Sequence, residues 1–451
     1  MSTPTLTDAV VDLTSSLRLD AVTAQVEETV GRAVLDFAAC ALAGSADHEA
    51  AAASSWAAAQ GPGEATVIGT PRTASVTVAA LANGTAGHAL DYDDYTVHMF
   101  HPSVCLLPPV LALGERHGIS GAEAVLAYLT GFEVGARLAR VMNPDHYRLG
   151  WHGTSTIGTV AAAAAAAKAR GLTPEQTRHA IGAAASAAGG LRKNFGSTVK
   201  PLHAGLAAMH GTLAADLAAA GIEADPDALD GARGFVSVFS GGALTAAQVA
   251  RSYLDGPLEL VATGIAVKPY ACCGALVTGI EALLRIVAAH ALRPADVDRV
   301  VCTIRPATRD IVPHALAATP AEGKFSVEYA LAVALLDRDA GVAQFSAERV
   351  ADPAVQEWSR RVSVVLADLP GPTASPAVVE VRTRDGRALV ERIDVQIGRG
   401  ERTLPTEALV AKFHACAAPL LPQERRHAVL GRIAELPKLD DIGSLVTGLA
   451  T

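Results

Sequence analysis

One short stretch of the sequence holds an unusual density of ionisable side chains. Residues 88–103 read HALDYDDYTVHMFHPS and include three aspartates and three histidines. Only 18% of the residues in the whole chain are charged, and a carboxylate removed from water is costly unless it is paired or used. The stretch therefore indicates either a catalytic site or a metal site.

A metal centre is the first alternative for this stretch, because aspartate and histidine are common metal ligands. The spacing, however, matches neither HExxH nor the twelve-residue calcium loop. A helix cap with a cluster of ion pairs is the structural alternative. Ser103 has no G-x-S-x-G turn around it, so a nucleophilic serine is not predicted and Ser103 stays a substrate-binding candidate.

Four further polar segments interrupt an otherwise apolar sequence, at residues 143–154, 192–205, 268–274 and 324–329. His152 stands before a predicted helix, where free backbone amides can bind an anion such as a carboxylate. Each residue alone also has a structural explanation: His152 can cap the helix, Lys200 can be a surface charge, and Tyr329 can pack in a core. Only the combination of these segments indicates a site.

The elements that must position these segments are mostly helices. Apolar residues recur every three or four positions over residues 7–43, which predicts two helices, the second ending near Gly44. The same pattern predicts further helices over residues 76–90, 108–118, 121–141 and 157–170, and one that ends near residue 220. The last of these carry many alanines, and small side chains allow helices to approach closely.

After about residue 258 the pattern changes. Residues 297–305 and 378–392 alternate between apolar and polar, and Asp385-Gly386 interrupts the second run, which predicts strands and a β-hairpin. From residue 406 onward the pattern is helical again. We therefore expect a mainly α protein with an all-helical domain over residues 1–262, a smaller α+β lid domain over 263–400, and helices over 401–451 that return to the helical domain.

Composition limits the classes of partner. The net charge of −9 and the absence of a Lys/Arg run argue against nucleic acid. The first residues lack the pattern of a signal peptide, and the most apolar run, residues 159–167, is too short to span a membrane. The six cysteines form no CxxC pair, so neither a zinc site nor a disulfide framework is predicted. We expect a cytoplasmic protein with reduced thiols.

Taken together, the polar segments resemble the MmgE/PrpD family, which includes 2-methylcitrate dehydratases, cis-aconitate decarboxylases and an iminodisuccinate epimerase. The resemblance covers nearly the full length and rests on HALDYDD with HPS, GWHGT, KPLHAGLAA, KPYACCG and KFSVEYA, in that order. It implies a helical domain and an α+β lid domain with the active site in the cleft between them. It also implies a homodimer, with neither a required metal nor an organic cofactor.

The resemblance places eight residues in the cleft, namely Asp91, Tyr95, His101, His152, Lys200, Lys268, Cys273 and Tyr329. Our catalytic candidates are Asp91, His101, Tyr147, His152, Lys268 and Tyr329. Our substrate-binding candidates are Tyr95, Ser103, Lys200 and Cys273. Decarboxylase-type members of the family carry a threonine at the position of Tyr95 and a histidine at the position of Cys273.

The reactions of the family share one step, the removal of a proton next to a carboxylate. Such a step needs a base and a way to stabilise enolate-like charge. We expect Lys200 and Lys268 to neutralise substrate carboxylates. His101 and His152 are expected to move the proton, and Asp91 to orient a histidine. Tyr147 or Tyr329 would return a proton, whereas Asp93, Asp94 and His98 are expected only to fix the loop.

These residues predict a cofactor-independent lyase, of dehydratase or decarboxylase type, that acts on a small di- or tricarboxylate. An epimerase or racemase of a dicarboxylate is the second hypothesis. A non-catalytic protein that binds carboxylates in a relict cleft is the third. Dehydration, decarboxylation and epimerisation differ only in what happens around the shared proton transfer, so residue types alone do not separate them.

Overall fold

The protein is mainly α, as predicted, and its four-stranded sheet lies in a smaller α+β part. The computed structural model describes residues 5–373, 375–398 and 400–451, and 60% of the chain is helical against 8% in strands. The helices up to residue 262 are α1 (Leu6–Ser16), α2 (Ala24–Gly44), α3 (His48–Ala59), α4 (Val76–Ala89), α5 (Ser103–His117), α6 (Gly121–Met142), α7 (Asp145–Arg148), α8 (Gly153–Ala169), α9 (Pro174–Ala187), α10 (Val199–Ala219), α11 (Phe235–Phe239), α12 (Ala246–Tyr253) and α13 (Glu259–Ala262).

The later part of the chain mixes helices and strands. Its helices are α14 (Val277–Ala289), α15 (Pro306–Ile311), α16 (Pro320–Gly323), α17 (Val327–Asp337), α18 (Ala347–Ala351), α19 (Pro353–Arg360), α20 (Thr406–Ala417), α21 (Gln423–Ala434) and α22 (Gly443–Thr447). The strands of the whole protein are β1 (Ala65–Thr66), β2 (Thr73–Ala74), β3 (Val297–Ile304), β4 (Val362–Leu366), β5 (Ala377–Thr383) and β6 (Ala388–Ile393).

Side-chain caps mark the beginning of several helices. Thr5, Ser120 and Thr173 each accept a hydrogen bond from a backbone amide of the first turn, and the side chain three residues on accepts one from the backbone amide of the capping residue. Such capping boxes satisfy amide groups that a helix leaves without a partner. The helices predicted to begin near residues 7 and 121 are confirmed, whereas α9, which follows Thr173, was not predicted.

The centre of the helical part is a close packing of α4, α8 and α10. Small side chains allow this contact. A Cβ on Gly205 of α10 would lie 2.3 Å from the Thr85 hydroxyl oxygen of α4, and a Cβ on Gly211 would lie 2.5 Å from the Ala162 methyl of α8. Because real Cβ atoms do not approach so closely, glycine is required at both positions. The ends of α4, α8 and α10 carry much of the site described below.

The larger sheet has four strands in the order β4-β3-β5-β6. β5 and β6 form the predicted antiparallel hairpin, and β3 pairs antiparallel with β5 and parallel with β4. Residues of β5 alternate between buried and less buried positions, and α14 packs against β5 and β6. The predicted strands are thus confirmed, with α14 covering the apolar face.

α3 and β4 are among the elements that were not predicted. α3 consists mainly of alanine and serine and has no distinct apolar face, so its periodicity is weak. β4 is an edge strand, in which Val365 and Leu366 are 45% and 52% exposed. Its apolar side chains therefore do not mark a buried face, and the parallel partner β3 is what makes it a strand.

The C-terminal helices lie against the first part of the chain. α20 and α21 pack against α2, and α22 packs against α5. The domain boundaries at residues 262 and 400 stay a prediction. Among the described residues, no single helix is long and apolar enough to cross a membrane, although α2 and α3 together, bent by 87°, pass a test of length and composition.

Candidate active site

The polar stretch after α4 forms a loop that leads to α5. Asp91 in this loop has a φ of 48°, and Met99 has a φ of 61°. Positive φ is uncommon for residues other than glycine and is often found at functional sites. Tyr95 is held to Ala266 by two backbone hydrogen bonds, of 3.1 and 2.8 Å. The loop is therefore fixed to the segment that precedes Lys268.

A cavity of about 790 Å³, including its open mouth, lies beside this loop. Most of the predicted site residues line it, namely Asp91, Tyr95, His101, Tyr147, His152, Lys200, Lys268 and Cys273. Other lining residues were not predicted, among them Met99, Phe195, Phe325, Ser375 and Gln396. The segments that were separate in sequence thus meet at one cavity.

Asp91 is paired with two lysines. Lys268 donates hydrogen bonds to the Asp91 carboxylate and, at 2.7 Å, to the Asp91 backbone oxygen. The Lys200 nitrogen lies 3.0 Å from the other carboxylate oxygen. Burial favours a higher pKa for Asp91, but the charges of Lys200 and Lys268 outweigh it and hold that pKa well below its usual value. Asp91 is ionised and organises the lysines, whereas we expected it to orient a histidine.

Asp93 has the role that was predicted for Asp91. One of its carboxylate oxygens lies 2.9 Å from His88 Nδ1, and the other lies 2.8 Å from His101 Nδ1. Burial raises the pKa of Asp93, but the two histidines outweigh this effect and hold it well below its usual value. An ionised carboxylate can only accept, so both rings carry their proton on Nδ1. Asp93 thus contacts two histidines, whereas we expected it only to fix the loop.

His88 is a site residue that sequence reasoning did not select. The Lys200 ammonium donates to His88 Nε2 at 2.9 Å, and His88 Nδ1 donates to Asp93. Burial lowers the pKa of His88 to about 3, with Asp93 opposing and Lys200 assisting. His88 stands three residues before Asp91 in HALD, and that proximity was the signal that could have identified it.

His101 and His152 present two different imidazoles to the cavity. Burial lowers the pKa of His101, and the Asp93 carboxylate opposes this shift. His152 begins α8, but its side chain does not cap the helix. Its Nδ1 lies 3.1 Å from Nδ1 of the buried His203. Burial and the charge of Lys200 hold the pKa of His152 well below its usual value.

His203 was not predicted as a site residue either. It follows Lys200 by three positions in KPLHAG, and residues three apart share a face of a helix. Burial lowers the pKa of His203 to about 4, with Lys200 acting in the same direction. The helical spacing from Lys200 was the signal that could have found it.

Tyr147, Cys273 and Tyr95 complete the polar lining. Burial raises the pKa of Tyr147, and the Arg192 guanidinium lies 3.7 Å from the centre of its ring. Burial also raises the pKa of the Cys273 thiol to about 11. Both groups therefore keep their protons near neutral pH. The Lys268 nitrogen lies 5.7 Å from the centre of the Tyr95 ring.

Ser103 and Tyr329 are the predicted residues that the structure does not bring to the cavity. The fully buried Ser103 hydroxyl contacts the Asp94 carboxyl group and, at 2.9 Å, the Tyr128 hydroxyl. Tyr329 is also fully buried, and its hydroxyl donates to the Gln344 backbone oxygen at 2.6 Å. Both hydroxyls thus serve packing, and neither enters the proposal below.

Four residues of the loop region could act as metal ligands, since donor atoms of His88, Asp91, Asp93 and His101 lie within 4.8 Å of one another. The same atoms already face positive charge. The Lys200 nitrogen is 2.9 Å from His88 Nε2 and 3.0 Å from Asp91, and Lys268 contacts Asp91 as well. Two ammonium groups at this distance would repel a divalent cation. The donor set therefore suits the lysines better than a metal.

Comparisons with known proteins identify the family of the chain. The family model of the MmgE/PrpD N-terminal domain matches residues 8–248, and that of the MmgE/PrpD C-terminal domain matches residues 270–436. The cis-aconitate decarboxylase of Homo sapiens is 31% identical over 385 residues, which cover 82% of this chain and 79% of the relative. The cis-aconitate decarboxylase of Aspergillus terreus is 28% identical over 469 residues, covering 96% and 93%. The chain therefore belongs to the MmgE/PrpD family.

Proposed function

We propose that this protein is a cofactor-independent lyase that decarboxylates a small unsaturated tricarboxylate of the cis-aconitate type. The observation that carries the proposal is the meeting of two lysines and a carboxylate-oriented histidine in one cavity. The lysines suit an anionic substrate, and the histidine suits proton transfer. The named relatives support decarboxylation over dehydration.

The charges of the cavity indicate how a polycarboxylate would bind. Lys200 and Lys268 are balanced by the ionised Asp91 and Asp93, and the buried histidines are neutral. An incoming polyanion therefore adds negative charge that the free site does not compensate. Protonation of His101 would offset one of these negative charges, because Asp93 stabilises the imidazolium. We expect substrate binding to be coupled to the uptake of a proton.

The reaction itself needs one proton. Cleavage of the bond between the saturated carbon and its carboxylate releases carbon dioxide, and the electron pair forms a new carbon–carbon double bond. The electrons of the original double bond shift to the carbon next to a second carboxylate. That carbon takes up the proton. Lys200 and Lys268 would stabilise the enolate-like charge at that carboxylate. Protonated His101 would supply the proton, with Tyr147 as the second available donor.

The test is incubation with cis-aconitate in deuterated water, followed by NMR and by measurement of released carbon dioxide. We expect one equivalent of carbon dioxide and an unsaturated dicarboxylate that carries one deuterium. Citrate, 2-methylcitrate and iminodisuccinate complete the panel. Proton exchange without loss of carbon dioxide or water would indicate an epimerase and contradict the proposal. Thermal stabilisation by these acids without any turnover would indicate a binding protein.

A pair of histidine variants ties the activity to the site. His101→Gln should lower kcat by about 10²- to 10⁴-fold, the usual contribution of a general acid. His98→Gln is the control, because His98 belongs to the same loop but pairs with Glu259 at 3.2 Å and does not line the cavity. Equal activity of the two variants would exclude His101 as the proton donor.

A further inference from the structure

Lys412 of α20 is a buried cation that lies behind the active-site loop and does not line the cavity. Its nitrogen donates to the Asp36 carboxylate at 2.7 Å, to the Tyr92 backbone oxygen at 2.7 Å and to the Lys268 backbone oxygen at 3.2 Å. An ammonium group has three N–H donors. Lys412 thus uses its full donor capacity to join three segments of the chain.

The two backbone oxygens identify what Lys412 holds. Tyr92 directly follows Asp91, and Lys268 is the partner of Asp91 in the cavity. One ammonium group therefore fixes the backbone on both sides of the Asp91–Lys268 ion pair. The Lys412 nitrogen also lies 3.5 Å from the centre of the Tyr92 ring, which holds the same residue by its side chain.

The backbone of Asp91 needs such support. Its φ of 48° is a conformation that residues other than glycine keep only where the surroundings enforce it. The hydrogen bonds between Tyr95 and Ala266 fix one end of the loop. Lys412 fixes the other end, directly beside Asp91.

We propose that Lys412 is a positioning residue, which holds Asp91 and Lys268 in the geometry needed for catalysis without touching the substrate. The inference rests on the proposed function for its kinetic consequence. It goes beyond that function because it assigns a role in the site to a C-terminal helix. That helix is distant in the sequence from every motif that contributes residues to the cavity.

A second buried cation of the protein provides a matched control. Arg137 pairs with Glu133 at 3.0 Å and donates to the backbone oxygens of Tyr253 at 2.8 Å and of Pro257 at 2.9 Å. It resembles Lys412 in burial, in its carboxylate partner and in its contacts with backbone oxygens. None of these four residues lines the cavity. Loss of Arg137 should therefore affect stability alone.

The experiment compares two double variants, since removal of one member of a buried ion pair would leave the other charge without a partner. Asp36→Asn/Lys412→Met and Glu133→Gln/Arg137→Met both remove a pair. We expect both proteins to fold with a lower Tm. The first should lose about 10²-fold in kcat, because small displacements of reacting groups have effects of that size. The second should keep wild-type kcat.

Hydrogen exchange of the backbone amides provides a readout that does not depend on turnover. Exchange in residues 91–95 and 265–268 should accelerate in the Lys412 variant and stay unchanged in the Arg137 variant. In an active wild-type protein, unchanged kcat of the Lys412 variant overturns the inference. If the wild type is inactive with every acid of the panel, the proposed function fails. The inference about Lys412 is then tested by hydrogen exchange alone, and equal exchange of the two variants in residues 91–95 and 265–268 overturns it.

Discussion

His101 and His152 line the same cavity, yet different neighbours surround them. His101 donates Nδ1–H to the ionised Asp93. His152 faces the neutral His203 and lies near the positive charge of Lys200. A proton on His101 would therefore be stabilised, whereas a proton on His152 would be repelled.

The comparison teaches that one residue type can have two roles when its environment differs. Burial lowers the pKa of both imidazoles, but only His101 has a carboxylate that opposes the shift. We infer that His101 exchanges protons with the substrate and that His152 stays neutral and serves as a hydrogen-bonding group. The predictions below test that distinction in order of expected effect.

The largest effect is expected for Asp93→Asn. The amide no longer holds the Nδ1–H tautomer of His101 or stabilises its imidazolium, and the comparable change in a Ser-His-Asp triad lowers kcat by about 10⁴-fold. Steady-state kinetics with the proposed substrate, cis-aconitate, would measure the loss.

Asp94→Asn is the matched control for that change. Burial and the nearby Asp36 raise the pKa of Asp94 well above its usual value, which favours its uncharged form. We expect a change of no more than about three-fold in kcat, since an amide resembles the uncharged carboxyl group that it replaces. Similar losses in the two variants would show that the loop, and not the Asp93 charge, is what matters.

A smaller effect is expected for His203→Asn. His203 orients His152, and loss of a residue that orients a functional group typically lowers activity by about 10- to 100-fold. The pH dependence of kcat/KM should keep the limb that belongs to His101. His210→Asn on the same helix is the control, and it should retain activity because the His210 ring interacts with the Ala187 backbone, whereas His203 contacts His152. If the pKa that kcat/KM assigns to His101 shifts in the His203 variant, the distinction between His101 and His152 is contradicted.

The neutral histidines also predict how stability depends on pH. Burial lowers the pKa of His88 to about 3 and that of His203 to about 4, from 6.5. Below pH 6.5 the unfolded chain binds protons that the folded protein does not, so the free energy of unfolding should fall as the pH decreases. The slope should reach about 1.4 kcal/mol per pH unit for each such histidine.

Urea unfolding between pH 7.5 and pH 5 would measure this slope. The His203→Asn variant should show a shallower slope than the wild type, by up to one proton. Equal slopes in the two proteins would mean that His203 takes up a proton in the folded state. In that case the difference between His101, which faces an ionised Asp93, and His152, which faces a neutral His203, would no longer hold.

No effect is expected from removal of metal ions. Lys200 and Lys268 already face the atoms that could bind a cation. Treatment with EDTA should therefore leave kcat unchanged, and calorimetry should detect no binding of Zn²⁺ to this cluster. Loss of activity with EDTA and its recovery with a divalent ion would contradict the assignment of Asp91 to the lysines.

Much of the fold could be predicted because its cause is local. The apolar periodicity of α2 and α6 and the alternation in β3 and β5 follow from neighbouring residues. The composition of α3 has no such pattern, and β4 depends on β3, which lies about sixty residues earlier in the chain. For α3 and β4, the neighbouring residues do not determine the element, and a pattern search misses both.

In the candidate site, too, some features follow from the sequence and others depend on the tertiary structure. The sequence by itself determined which segments carry ionisable residues and, through five ordered motifs, that they belong together. Only the tertiary structure decided which partner each carboxylate takes. Asp91 and Asp93 are two residues apart, yet one faces lysines and the other histidines. Their directions depend on a loop with positive φ and on side chains from distant parts of the chain, including Lys412, and no local pattern encodes those contacts.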